Sequence, residues 1–89
     1  MTRRISLKPS ARRDFGKMPR KAQQALAKKI DLLAVNAQAA GEEKLAGHPG
    51  LFRIRAGDYR AVYEKDGNTI MILRMGDRKE VYKMLRRLD

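Results

Sequence analysis

Read for its apolar positions, the chain divides into short strand patterns around two helical ones. Residues 3–8, "RRISLK", alternate weakly, with Ile5 and Leu7 on one side, and the flanking charge suits an edge strand. Pro9-Ser10 breaks this run, and Ser10 is a suitable N-cap for a two-turn helix, "ARRDFGKM", in which Phe15 and Met18 share a face. Gly16 and Pro19 weaken and end it. From Arg20 to about Ala40 strong helix formers dominate. There Ala22, Leu26, Ile30, Leu33 and Ala37 recur at helical spacing, lysines fall mainly on the other side, and Gly41 is the expected stop. The join at "GKMP" predicts an α-hairpin.

"GEEKLAGHPG" reads as a loop. Three strands follow, at 51–55, 59–64 and 69–75, separated by Ala56-Gly57-Asp58 and by Lys65-Asp66-Gly67-Asn68. The run "TIMILRM" does not alternate until Arg74, which predicts a central strand buried on both faces. A turn at Gly76-Asp77-Arg78 leads into a last helix, "KEVYKMLRRLD", with Val81, Leu85 and Leu88 on its buried side. The element order is β-α-α-β-β-β-α. It predicts an α+β fold, a small and mainly antiparallel sheet with the α-hairpin packed on one face and a C-terminal helix, in a single domain over 1–89. Phe52 and Ile54 belong to the covered face, so Arg53 and Arg55 point to the open one.

Composition sharpens this picture. The chain has 89 residues, 21 of them Lys or Arg against 10 Asp or Glu, a formal charge of +11. So large an excess repels itself and is offset by a phosphate-rich or acidic partner, nucleic acid first. With no cysteine there is neither a disulfide framework nor a thiolate metal site. The N-terminal stretch has no apolar signal region, and no apolar run approaches the ~20 residues of a membrane helix. A cytoplasmic protein with no membrane partner is the expectation. His48, the single histidine, lies in the turn "GHPG" with no second histidine to complete an acid–base pair. Glu42 and Glu43 are adjacent and lack metal-ligand spacing, and no glycine-rich phosphate loop precedes a helix. No cofactor and no metal are expected.

The candidate chemistry is therefore cationic. Arg53 and Arg55 are either the wet side of a half-buried strand or a phosphate site, since the planar guanidinium binds phosphate through two bonds. Arg60 lies across a tight turn from them and can share their face. Arg78 and Tyr82 follow the exit of the last strand, which can bring them to the same rim. Tyr82 sits on the shoulder of the apolar stripe of its helix, as a boundary residue or as a stacking platform for a base. Tyr59 and Tyr63 share the opposite face with Ala61 and are assigned to the core.

Together "EKLAGHPGLFRIRAGDYRAVYE" and "MGDRKEVYK" resemble the RelE/ParE superfamily of toxin–antitoxin toxins, and the element order extends the resemblance from Ile5 to the end. It implies one of two activities: cleavage of messenger RNA in the ribosomal decoding site, as in RelE-like members, or inhibition of DNA gyrase without nuclease chemistry, as in ParE-like members. A plain basic nucleic-acid-binding module is a third possibility. By the resemblance, Arg53 and Arg55 match two basic positions of the nuclease strand. Arg60 matches the arginine at the scissile phosphate, Arg78 the one near the leaving group, and Tyr82 the tyrosine that stacks on a messenger base. This set implies the nuclease branch: a metal-independent endoribonuclease that uses 2′-hydroxyl attack. Its partners would be the ribosome, messenger RNA and an acidic cognate antitoxin in a hetero-oligomeric complex. Two departures stand out: Ala46 replaces an arginine of the nuclease founder, and Arg53 and Arg55 replace lysines. Arginine, with a pKa above ~12, stabilises anions well but is a poor base.

Overall fold

The computed structural model describes residues 2–86. Strand β1, Arg4–Leu7, leads directly into helix α1, Pro9–Lys17. Proline suits the first helical position, where its missing N–H would have no partner in any case. Lys8 is the N-cap, and no side chain caps the helix. Ser10, expected as the cap, instead donates its hydroxyl to the Leu73 carbonyl at 3.1 Å and ties α1 to the sheet. After the link Met18-Pro19, helix α2 runs Arg20–Val35.

Leu26 and Leu33 of α2 are fully buried, with Ala22, Ile30 and Ala37 packed against the same core, as the spacing predicts. The helix stops before the expected Ala40 because Asn36 leaves helical geometry (φ −156°, ψ 94°). Its side-chain oxygen accepts the Ala39 N–H at 3.0 Å, the local alternative to helix that asparagine offers the backbone. A separate turn then closes at Gly41, whose φ is +79°.

The sheet has five strands in the order β1-β5-β4-β3-β2. They include β2, Glu43–Lys44, β3, Leu51–Ala56, β4, Tyr59–Asp66, and β5, Thr69–Asp77. β1 pairs parallel to β5 at one edge, and the other ladders are antiparallel. The two-residue β2, read from the sequence as loop, carries no apolar alternation. It exists because Glu43 and Lys44 pair with Arg53 and Phe52. The β3–β4 and β4–β5 turns open on Gly57 and Gly67, with φ of +61° and +60°.

A bulge in β5 sets which side chains meet. Tyr63 pairs with Ile72 and Val62 with Arg74, so Leu73 has no partner. The extra residue reverses the alternation. Ile70 and Ile72 enter the core beside the α-hairpin, and beyond the bulge Met75, not Arg74, joins them. Gly76 then falls on the other face. β5 does not turn at Gly76-Asp77-Arg78 as expected. It continues to Asp77, whose carboxylate accepts the Glu80 N–H at 2.8 Å and caps helix α3, Arg78–Leu85. The expected extension of this helix through Leu88 lies partly outside the described residues.

Two apolar clusters result. The larger packs α1 and α2 on one sheet face around Leu26, Leu33, Ile54, Tyr63, Ile70 and Ile72. The smaller joins α3 to the opposite face through Leu45, Val62, Val81 and Leu85, with Leu51 and Tyr82 at its margin. The face that the sequence leaves open is thus partly covered by α3, and this shapes the site.

Candidate functional site

Strand alternation puts Arg53 and Arg55 of β3 on the α3 face, because Phe52, Ile54 and Ala56 pack on the other. Arg60 of β4 joins them there, between Tyr59 and Ala61 of the main core. Arg55 and Arg60 are direct cross-strand partners, which brings their β-carbons to about 4.5–5.5 Å. Like charges so placed repel. On its other flank Arg60 pairs with Gly76. α3 crosses closely above that glycine: a β-carbon added there would lie 3.6 Å from Glu80 Cβ and from Val81 Cγ2.

The open face expected for these arginines is closed around Arg60. The residue is only 6% exposed, and its Nε and Nη1 are buried without a hydrogen-bond partner among the described residues. An uncompensated buried cation is costly, and folds retain one only where something offsets the cost. Arg55 is exposed. Arg53 is half-buried, with Nη1 donating to the Tyr82 hydroxyl and Nη2 at 3.5 Å from the Glu43 carboxylate.

Arg78 is exposed at the start of α3, where its N–H donates to the Asp58 carbonyl at 3.1 Å and fixes the helix beside the turn that precedes Arg60. Tyr82 follows one turn later, on the same side of the helix. The structure therefore joins Arg53 to Tyr82, sets Arg55 opposite Arg60, and brings Arg78 in on the helix that carries Tyr82. Glu43 and Gly76, which border these residues, carry no periodic signal in the sequence. The one available hint for Glu43 was an acid adjoining a strongly basic strand.

Elsewhere on the sheet the buried charges are paired. Asp14, 9% exposed, accepts from Arg74 Nε and Nη2 at 2.8 and 3.0 Å and from the Met75 N–H at 3.0 Å. The bond to Asp14 raises the Arg74 pKa further. Glu42 accepts from the Tyr63 hydroxyl at 2.7 Å and from Lys65 Nζ at 2.6 Å. Burial works against the Glu42 carboxylate, but the Lys65 and Tyr63 bonds outweigh it and hold the pKa below its ordinary value. Burial, then the same Glu42 bond, pushes the Tyr63 hydroxyl up. Lys65 also lies 4.4 Å above the Phe52 ring.

A surface groove of about 450 Å³ between α2 and the end of β3 is lined by Lys21, Lys28, Lys29, Leu32 and Ala56 among others, and by none of the five candidate residues. His48 is half-buried in its loop, where its backbone donates to Leu45 and accepts from Leu51. Among the described residues no three His, Cys, Asp or Glu side chains gather as a metal site, and no helix is long and apolar enough to cross a membrane.

The five-stranded sheet, N-terminal α-hairpin and third helix across the sheet match the fold of the RelE toxin. The chain matches the family described as the ParE toxin of type II toxin–antitoxin systems over residues 5–82, and it belongs to that family. No curated protein matches it. Among solved structures, a chain of the RelBE2 toxin–antitoxin complex from Mycobacterium tuberculosis is 27% identical, with a TM-score of 0.76, covering 88% of this chain and all of its own. The free E. coli RelE toxin, in a variant with two arginines changed to alanine, superposes with a TM-score of 0.77 at 22% identity, covering 99% of this chain and 100% of its own. A chain of the chromosomal ParDE system of P. aeruginosa gives 0.69 at 19% identity, covering 85% and 96%. The last two likenesses concern the fold. It serves both toxin branches, so the side chains on the cationic face carry the functional argument.

Proposed function

We propose that this toxin is a ribosome-dependent endoribonuclease that cuts messenger RNA in the decoding site. The observation that carries the reading is Arg60, a guanidinium buried without a partner among the described residues, with a second arginine directly opposite. Such a group lacks an anion, and a phosphate supplies one. In this reading Arg60 acts from beneath the surface, where low polarity strengthens its field. The exposed Arg55 and Arg78 meet the phosphate oxygens, and Tyr82 stacks on a neighbouring base.

The reaction needs no group beyond RNA and protons. The 2′-oxygen bonds to the adjacent phosphorus and its proton passes to a base. The bond from phosphorus to the 5′-oxygen breaks, and that oxygen takes up a proton. A cyclic phosphate and a 5′-hydroxyl result. The arginines stay protonated, so the chain contributes preorganised positive charge and in-line orientation, and the proton acceptor comes from the ribosome or solvent. The +11 formal charge favours docking into ribosomal RNA. A cognate antitoxin with an acidic segment, folding as it binds, is the second partner in a hetero-oligomeric complex. RelB–RelE complexes are known among the structural neighbours. Both encounters belong to the cytoplasm.

The match to the ParE family favours a second reading, a gyrase-directed toxin without chemistry of its own. Mapping RNA ends after brief induction separates the two. Codon-phased cuts within translated messages are expected, abolished by Arg78→Ala. DNA breaks with a DNA-damage response and intact messages would select the gyrase reading.

A further inference from the structure

Of the three arginines that β3 and β4 present beneath α3, one is tied and two are not. Arg53 Nη1 donates to Tyr82, Nη2 faces Glu43 at 3.5 Å, and Nε is buried. With Nε enclosed, the side-on Nε–Nη fork of this guanidinium is closed to a phosphate. Among the described residues Arg55 makes no side-chain hydrogen bond and is exposed, and Arg60 has two unpartnered nitrogens.

We propose that Arg53 is a positioning residue, held by Glu43, whose task is to orient the Tyr82 ring, and that the phosphate is left to Arg55, Arg60 and Arg78. The inference rests on the nuclease reading of the same face and departs from a uniform role for its arginines. Three elements converge to build the contact. β2 supplies Glu43 directly opposite Arg53, and α3 supplies Tyr82 from the far side. β2 itself is only two residues long and needs an anchor. Glu42, the residue before it, provides one through Lys65 and Tyr63. The two adjacent carboxylates thus act on different sides of the sheet, one holding the short strand and the other holding the arginine. A tyrosine hydroxyl that accepts from a fixed guanidinium loses ring freedom, so stacking on a base costs less when RNA arrives. A lysine could hold one of the two partners, whereas the guanidinium spans both.

The test is a double-mutant cycle on single-turnover cleavage of a short message by the full-length toxin on programmed ribosomes. Arg53→Ala and Tyr82→Phe are each expected to slow cleavage about tenfold, within the range over which contacting residues couple, and the double variant to be no slower than the worse single one. Arg53→Lys should not rescue, and Glu43→Gln should give a smaller loss of the same kind. Arg53→Ala combined with Arg60→Ala should multiply. If Arg53→Ala multiplies with Tyr82→Phe, or if lysine restores the rate, Arg53 serves as charge and the proposal falls. A second readout needs no activity: in the free toxin, NMR signals of the Tyr82 ring should move in Arg53→Ala and Glu43→Gln but not in Arg55→Ala. Unmoved ring signals overturn the positioning pair. Ring signals that move as expected in a toxin that cuts no message uphold the pair and overturn the nuclease reading alone.

Discussion

Asp14 and Arg60 are the charged side chains buried to below a tenth of their surface among the described residues, Asp14 on α1 against the backbone of β5 and Arg60 on β4. Asp14 is satisfied. Arg74 grips it with two bonds, the Met75 backbone adds a third, and the set pins α1 to β5 just beyond the bulge. Arg60 has Arg55 across from it, a glycine on its other side, and two nitrogens without partners. One burial holds the fold together. The other weakens the fold and, in the proposed reading, gains its value when an anion arrives. The difference teaches that burial of a charge says little about its role until its partners are counted.

The largest effect should come from the unpaired side. Arg60→Met should slow message cleavage a hundredfold or more, the ~3 kcal/mol typical of losing one preorganised charge contact. The same variant should melt higher, by several degrees, because removing an uncompensated buried cation relieves about 1–2 kcal/mol. Retained cleavage, or a clear fall in Tm, would break the comparison. On the paired side the signs reverse. Asp14→Ala strands Arg74, whose side chain is 29% exposed, and should cost about 3 kcal/mol, near the low end for a broken buried pair. Tm should drop by more than about 10 °C, with cleavage per folded molecule unchanged.

A smaller effect belongs to Glu42. Its folded carboxyl titrates below the ordinary 4.5, so its contribution is present above that pH and disappears as pH falls through the folded value. Tyr63 is shifted the other way, so its contribution is complete below 10.0 and declines at more alkaline pH. Denaturation followed from pH 3 to 11 should show both limbs, and Glu42→Gln should remove the acid one. The smallest effect is expected at Gly76→Ala. The added carbon meets Glu80 and Val81 at ordinary contact distance, so stability should change by less than about 1 kcal/mol. A larger loss would mean that α3 presses closer to Arg60 than these distances allow.

Much of this could be read along the chain. The α2 stripe, the hairpins at Gly57 and Gly67, the edge position of β1 and the core roles of Tyr59 and Tyr63 all follow from local period and turn chemistry. The misreadings have identifiable causes. Ser10 and Asn36 hydrogen-bond elsewhere than helix rules suggest, because a carbonyl of β5 and a local turn compete for them. β2 is invisible because two charged residues make no pattern. The bulge at Leu73 is equally silent, and it moves Met75 into the core and Gly76 beneath α3.

By itself the sequence determined the element order, the positive charge and the side of β3 on which Arg53 and Arg55 emerge, since each depends on spacing over a few residues. Only the tertiary structure decided that α3 covers this side, that Arg60 is buried without a partner among the described residues, and that Arg53 is claimed by Tyr82 and Glu43. Those outcomes depend on where distant segments cross, and a side chain's solvation and partners are set by that crossing rather than by its neighbours in the chain.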